Sequence, residues 1–165
     1  MKKINLGSGC ILFVIALLFV GCGSDDASGP NVDEFIRANV ETISFETLAD
    51  PSAVTAAKIE GSDFTTFLVQ GVDGSGNAMI LSIVEYSGVG TYDLFIENEP
   101  TGTAAAYVTQ ETAWFSSGDG GSGTITVQVD DDQETSGTFE FVGIEGDGGT
   151  STRTVTNGTF RAKFE

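Results

Sequence analysis

The chain has 165 residues, with 24 acidic and 7 basic side chains, a formal net charge of −17, 22 glycines and no histidine. That length holds one domain with a real core and not two comfortable ones. The acidity excludes a nucleic-acid binder, which needs clustered Lys and Arg against phosphates, and the missing histidine excludes Ser-His-Asp or Cys-His relays and His-ligated zinc.

Lys2 and Lys3 form a basic head, followed by an apolar run from Ile11 to Val20 and then Gly21-Cys22. A basic head, a short apolar core and a small residue before the cut predict a secretory signal peptide over 1–21. The run is shorter than the stretch of about 20 apolar residues that a spanning helix requires. Phe19-Val20-Gly21-Cys22 resembles a bacterial lipobox, with Phe19 where Leu is usual, so Cys22 is the expected lipidation site. Cys10 would leave with the peptide, and the remaining domain would have no disulfide to form. Several acyl chains on one residue anchor firmly to a membrane. Gly23-Ser24-Asp25-Asp26 reads either as a surface-export signal of Bacteroidota-type lipoproteins or as a solvated tether. Residues 23–33 are mostly Gly, Ser, Asp, Asn and Pro with little to bury, so 22–34 is expected to be the lipidated Cys and a flexible linker.

From Phe35 the signal is period two, and residues 35–165 are expected to form a single β domain. Turn clusters such as Asp73-Gly74-Ser75-Gly76-Asn77, Ser87-Gly88-Val89-Gly90, Asn98 to Gly102, Gly118 to Gly123 and Gly146 to Gly149 cut the chain. They bound about ten strands, near 35–47, 53–60, 64–72, 78–86, 91–97, 104–109, 112–117, 123–130, 136–145 and 152–164. The fold class is therefore all-β: an antiparallel β-sandwich or a partly closed barrel. Alternation directs Ile125, Val127, Val129, Phe139, Phe141, Phe160, Ala162 and Phe164 inward, with Leu94, Ile96 and Tyr92 on a core face. Met79 to Val84 is apolar on both faces, as in a central strand. Gly-Thr-Phe occurs at 137–139 and again at 158–160, but the flanks do not match at any repeat period, so it is read as coincidence.

Few residues are singled out for chemistry. Asp130-Asp131-Asp132 is the densest charge run and a weak calcium candidate; consecutive acids alternate direction, so a solvated hairpin turn is the reading preferred. Asp73 to Asn77 spaces oxygens like the start of a calcium loop but lacks its closing Glu, and reads as a plain turn. No spacing selects a carboxylate pair for glycoside hydrolysis. Trp114 and Phe115 must face opposite ways on a strand; Trp114, with Tyr92 and Tyr107, is a candidate surface for stacking a ligand, against the alternative of core packing. Asn157-Gly158-Thr159 reads as a turn into the last strand, and Gly118 to Gly123 as a loop that opens no helix.

The order Tyr107, Trp114-Phe115, Gly123 to Val127, Asp130 to Asp132, Ser136 to Phe141 and Val155 to Phe160 resembles a family of small Bacteroidota-type cell-envelope lipoproteins with a β-rich domain of unknown function. The resemblance covers 35–165 loosely and 104–165 well. Members usually carry Asn-Gly before an aromatic residue in the first strand; here Ala38 to Phe45 has no Gly. The resemblance implies location and fold and brings no catalytic residue. The expectation is an outer-membrane lipoprotein, held to the membrane by its N-terminal lipid and on the cell surface rather than the periplasmic face. It would act as a binding or adhesion module for a glycan or protein, with no cofactor, no metal and no catalysis. The alternative is a structural accessory subunit of an outer-membrane complex facing the periplasm; a carboxylate-based hydrolase comes last.

Overall fold

A computed structural model describes residues 34–94, 102–117 and 120–164. The proposed leader, Cys22 and the linker up to 33 lie outside those residues, as do Ile96 and most of the turn at 98–102.

The described chain is all-β and antiparallel, as the alternation predicts. Its strands are β1 (Phe35–Val40), β2 (Ile43–Glu46), β3 (Val54–Glu60), β4 (Thr65–Val72), β5 (Ala78–Ile83) and β6 (Gly90–Asp93). They continue as β7 (Ala104–Val108), β8 (Ala113–Phe115), β9 (Ser122–Asp130), β10 (Glu134–Glu145) and β11 (Thr152–Lys163). Hydrogen bonding runs in the order β2-β1-β11-β10-β8-β7-β5-β4-β3, with β9 along the first part of β10 and β6 on β9. The sheet curls until its far ends meet. Ala56 of β3 forms a parallel bridge with Phe164, and Thr47 bridges Asp73. The result is a partly closed barrel around one core that includes Ile36, Phe67, Leu81, Ile125, Phe141 and Phe160.

The stretch expected as one strand over 35–47 is a hairpin. Glu41 takes φ 55° without being glycine. Its backbone N–H donates to the Thr154 carbonyl at 2.8 Å, and its carboxylate accepts from the Thr154 N–H at 2.8 Å. A bonded side chain offsets the cost of the left-handed backbone, so the turn forms without the usual Asn-Gly.

Two β-bulges change which side chains face inward. On β9, Val127 pairs with Gly137 and Val129 with Ser136, so Gln128 is an extra residue. Beyond it the alternation inverts. Val129, expected in the core, is 39% exposed, and the Asp130 side chain, expected in solvent, is only 10% exposed. On β11, Phe139 pairs with Gly158 and Phe141 with Val155, which makes Asn157 the bulged residue at φ 53°. Asn157-Gly158-Thr159 is therefore a bulge within the last strand and not a turn leading into it.

The two Gly-Thr-Phe triplets pair with each other. Gly137 lies opposite Phe160, Thr138 opposite Thr159 and Phe139 opposite Gly158. A Cβ on Gly137 would stand 2.8 Å from the Phe160 ring, and one on Gly158 would stand 2.6 Å from the Phe139 ring. Each glycine thus makes room for the other triplet's aromatic ring, a cross-strand covering of glycine by ring that stabilises pairing.

Candidate functional site

The aromatic residues proposed for stacking are packed inside the protein. Tyr107 on β7 and Trp114 on β8 are direct cross-strand partners and stack at 5.8 Å with 21° between the rings. Trp114 is 5% exposed and Tyr107 7%. Trp114 Nε1 donates to Ser151 Oγ at 2.9 Å, and the Arg153 guanidinium lies 4.6 Å over the indole. Phe45 abuts Tyr107 edge-on. These contacts occupy the ring faces a ligand would need, so the core-packing alternative describes both residues. Tyr92 is half-buried against Tyr86, whose ring centroid is 5.7 Å away. Its hydroxyl donates to the Gly88 carbonyl at 2.6 Å and accepts from the Ser87 N–H at 3.2 Å, which pins the turn at 87–90.

The acidic run does not converge. Asp130 turns inward, where Lys58 Nζ of β3 approaches Oδ1 to 2.7 Å. The Tyr86 hydroxyl faces Asp130, and burial, together with that carboxylate, pushes the phenol pKa up. The ammonium also sits 4.4 Å over the Phe164 ring. Asp131 instead caps the hairpin, accepting from the Gln133 and Glu134 N–H groups at 2.8 Å each. Those backbone bonds, the one from Glu134 first, hold its carboxyl below the usual range. Asp132 is exposed. In the Asp73 turn, Oδ1 accepts from the Ser75 N–H at 2.8 Å and the Asn77 N–H at 2.9 Å, so this carboxylate is spent on the turn. Among the described residues, no group of three or more Asp, Glu, Cys or His side chains converges on a metal position.

The feature that alternation alone does not reveal lies on the outer face of β9, β10 and β11. An open depression of about 440 Å³ is lined by Thr124, Thr138, Glu140, Asn157 and Thr159, with Phe139 and Gly158 beneath. The β11 bulge shapes it by turning Asn157 out of register. Among the described residues, these five polar side chains have no hydrogen-bond or ion-pair partner, in contrast to the occupied carboxylates of the turns. The two arginines bordering this face are already neutralised. Arg37 Nε meets Glu46 at 2.8 Å, and Arg161 makes a forked pair with Glu134 at 3.0 Å. The depression therefore offers hydroxyls, an amide and a carboxylate, and no free guanidinium. Glu140 lies between Phe139 and Phe141 and so turns away from the core, but what it stands beside depends on the bulge and the register.

A family described as a domain of unknown function, DUF6252, matches residues 41–162. The chain belongs to that family. The DUF6252 match begins at the β1–β2 turn and runs nearly to the end of β11, so it takes in both bulges, the reciprocal triplets and the whole depression. It agrees with the β-rich domain of unknown function that the resemblance implied. No curated protein and no solved structure matches the chain.

Proposed function

We propose that this DUF6252 chain is a lipid-anchored cell-envelope protein that binds a polar ligand on the outer face of β9–β10–β11, without chemistry on the ligand. The observation that carries the reading is the depression whose five polar side chains have no partner among the described residues. Exposed polar groups clustered in one concavity, on strands that a closed core holds rigid, suit recognition of a ligand rich in hydroxyls. A lipobox ending at Cys22 and the polar stretch after it support an anchored domain held away from the membrane.

The direct test is a glycan array probed with the domain, wild type against Glu140→Ala and Asn157→Ala. Signal that falls with both substitutions supports the reading, and an array that stays blank overturns glycan recognition. Protease shaving of intact and lysed cells decides the membrane face: digestion on intact cells supports exposure at the surface, and protection until lysis overturns it. Cys22→Ser is expected to move the protein from the membrane to the soluble fraction with the melting temperature of the domain unchanged, read by fractionation and a thermal melt.

A second reading, an accessory subunit of a membrane complex, draws on the strand at the end of the hydrogen-bonded order. β2 carries Ile43 at 66% exposure. An apolar residue on a terminal strand favours pairing with another chain. Cross-linking from Ile43 to an envelope protein would support it.

A further inference from the structure

We infer that the ligand of this face is a neutral polysaccharide chain that lies across the strands, along a ladder of threonines. The inference rests on the reading above and adds the ligand's charge, its form and its direction. Thr91 of β6 is the register partner of Thr126 of β9, Thr126 of Thr138 on β10, and Thr138 of Thr159 on β11. Four hydroxyls from four adjacent strands thus stand in one row, about 4.8 Å apart at the ordinary strand spacing. Thr91 and Thr126 are linked at 3.0 Å between their Oγ1 atoms, and this fixes one end of the row. Thr138 and Thr159 have no partner among the described residues and open onto the depression. A second row, Asp93, Thr124 and Glu140, runs beside the first. The two rows are two residues apart along the strands, about 6.7 Å. The depression takes its lining from both rows and is extended by Asn157.

Direction follows from the register, because the repeated donor-acceptor groups run perpendicular to the strands. Form follows from the repeat: a row with one hydroxyl per strand matches a polymer with hydroxyls on successive units better than it matches a compact molecule. Recognition must come from side chains, because the backbone groups of β10 here are used in its ladders to β9 and β11. That excludes a peptide docking as a strand added along β10. Charge follows from the acids on the second row, from the arginines held by Glu46 and Glu134, and from the net charge of −17. An anionic polymer meets repulsion from Asp93 and Glu140, while Arg37 and Arg161 beside the depression are engaged by Glu46 and Glu134.

The test is native electrophoresis of the purified domain through gels cast with mixed-linkage β-glucan, arabinoxylan or dextran as neutral probes, and alginate as the anionic one. The variants are Thr138→Val with Thr159→Val, the same pair changed to Ser, and Thr66→Val on β4 as a control away from the face. Valine keeps the branched, strand-favouring shape and removes only the hydroxyls, and a thermal melt of each variant confirms that it is folded. The expected result is retardation of the wild type by a neutral polymer. Apparent affinity should fall at least tenfold in the Val pair, be retained in the Ser pair and be unchanged in Thr66→Val. Retardation by a neutral polymer that the Val pair leaves intact would overturn the ladder while the binding-module reading stands. Retardation by alginate alone would overturn the charge assignment. No retardation by any polymer would overturn the inference together with glycan recognition.

Discussion

At the scale of single residues, the reciprocal Gly-Thr-Phe pair shows what a sequence holds and what it conceals. Both triplets are plain in the sequence, but their relation is a matter of register, which no local pattern specifies. Once paired, each glycine is a fixed requirement. The Cβ of Gly137→Ala would fall against the Thr126 carbonyl oxygen and the Phe160 ring. The carbonyl belongs to a paired strand and cannot step aside. Overpacking of this kind costs about 1–3 kcal/mol, and the expected value for Gly137→Ala lies at the upper end, measured as a lowered midpoint in urea unfolding. Trp114 and Tyr107 were legible as strand aromatics, with ligand stacking and core packing both open. A large ring on a short strand serves a surface or an interior equally well by pattern. Only the pairing of β7 with β8 and the Ser151 hydroxyl show which.

At the scale of elements, most strands were legible because alternation and Gly-Asx turns are local signals. The departures occur where one residue is inserted or turned. Gln128 and Asn157 each add a residue to a strand, and Glu41 makes a turn with a side-chain bond in place of a glycine. None of the three is marked by composition. The β9 bulge then decides the fate of the neighbouring acids, sending Asp130 inward and leaving Asp131 to cap the β9–β10 turn. The Asp131 carboxyl is held low in the folded state by the two backbone N–H groups. A group lowered on folding contributes stability above its unfolded value, near about pH 4, and loses that contribution as pH falls through the folded value. The wild type is therefore expected to lose stability in that acid range more steeply than Asp131→Asn, which has no charge to lose. Urea midpoints above and below the transition check this.

At the scale of the whole molecule, the barrel closes by few backbone contacts. Ala56 and Phe164 form one bridge across the gap between β3 and β11. Beside that bridge the Lys58–Asp130 pair spans β3 and β9, with Phe164 under the ammonium. Lys58→Met would leave the Asp130 carboxylate enclosed without its cation. Breaking one side of such a pair costs about 3–5 kcal/mol. Lys58 is 30% exposed, so the expected cost lies at the lower end of that range. Adding Asp130→Leu should recover part of the loss, because the stranded charge is then gone. Denaturant unfolding of the single and double variants separates these effects. This seam was not legible in the sequence, since Lys58 sits 72 positions before its partner and alternation placed Asp130 in solvent.

The position of β11 also governs when the domain can form. β11, far from β1 in sequence, lies between β1 and β10, and Phe164 just after it bridges to β3. A chain lacking β11 has β2 alone as a partner for β1 and lacks the Phe160 and Ala162 side chains that complete the core. Pairing of this kind joins segments far apart in sequence and forms slowly. Completion of the domain therefore waits on β11, whatever the order in which the other strands form.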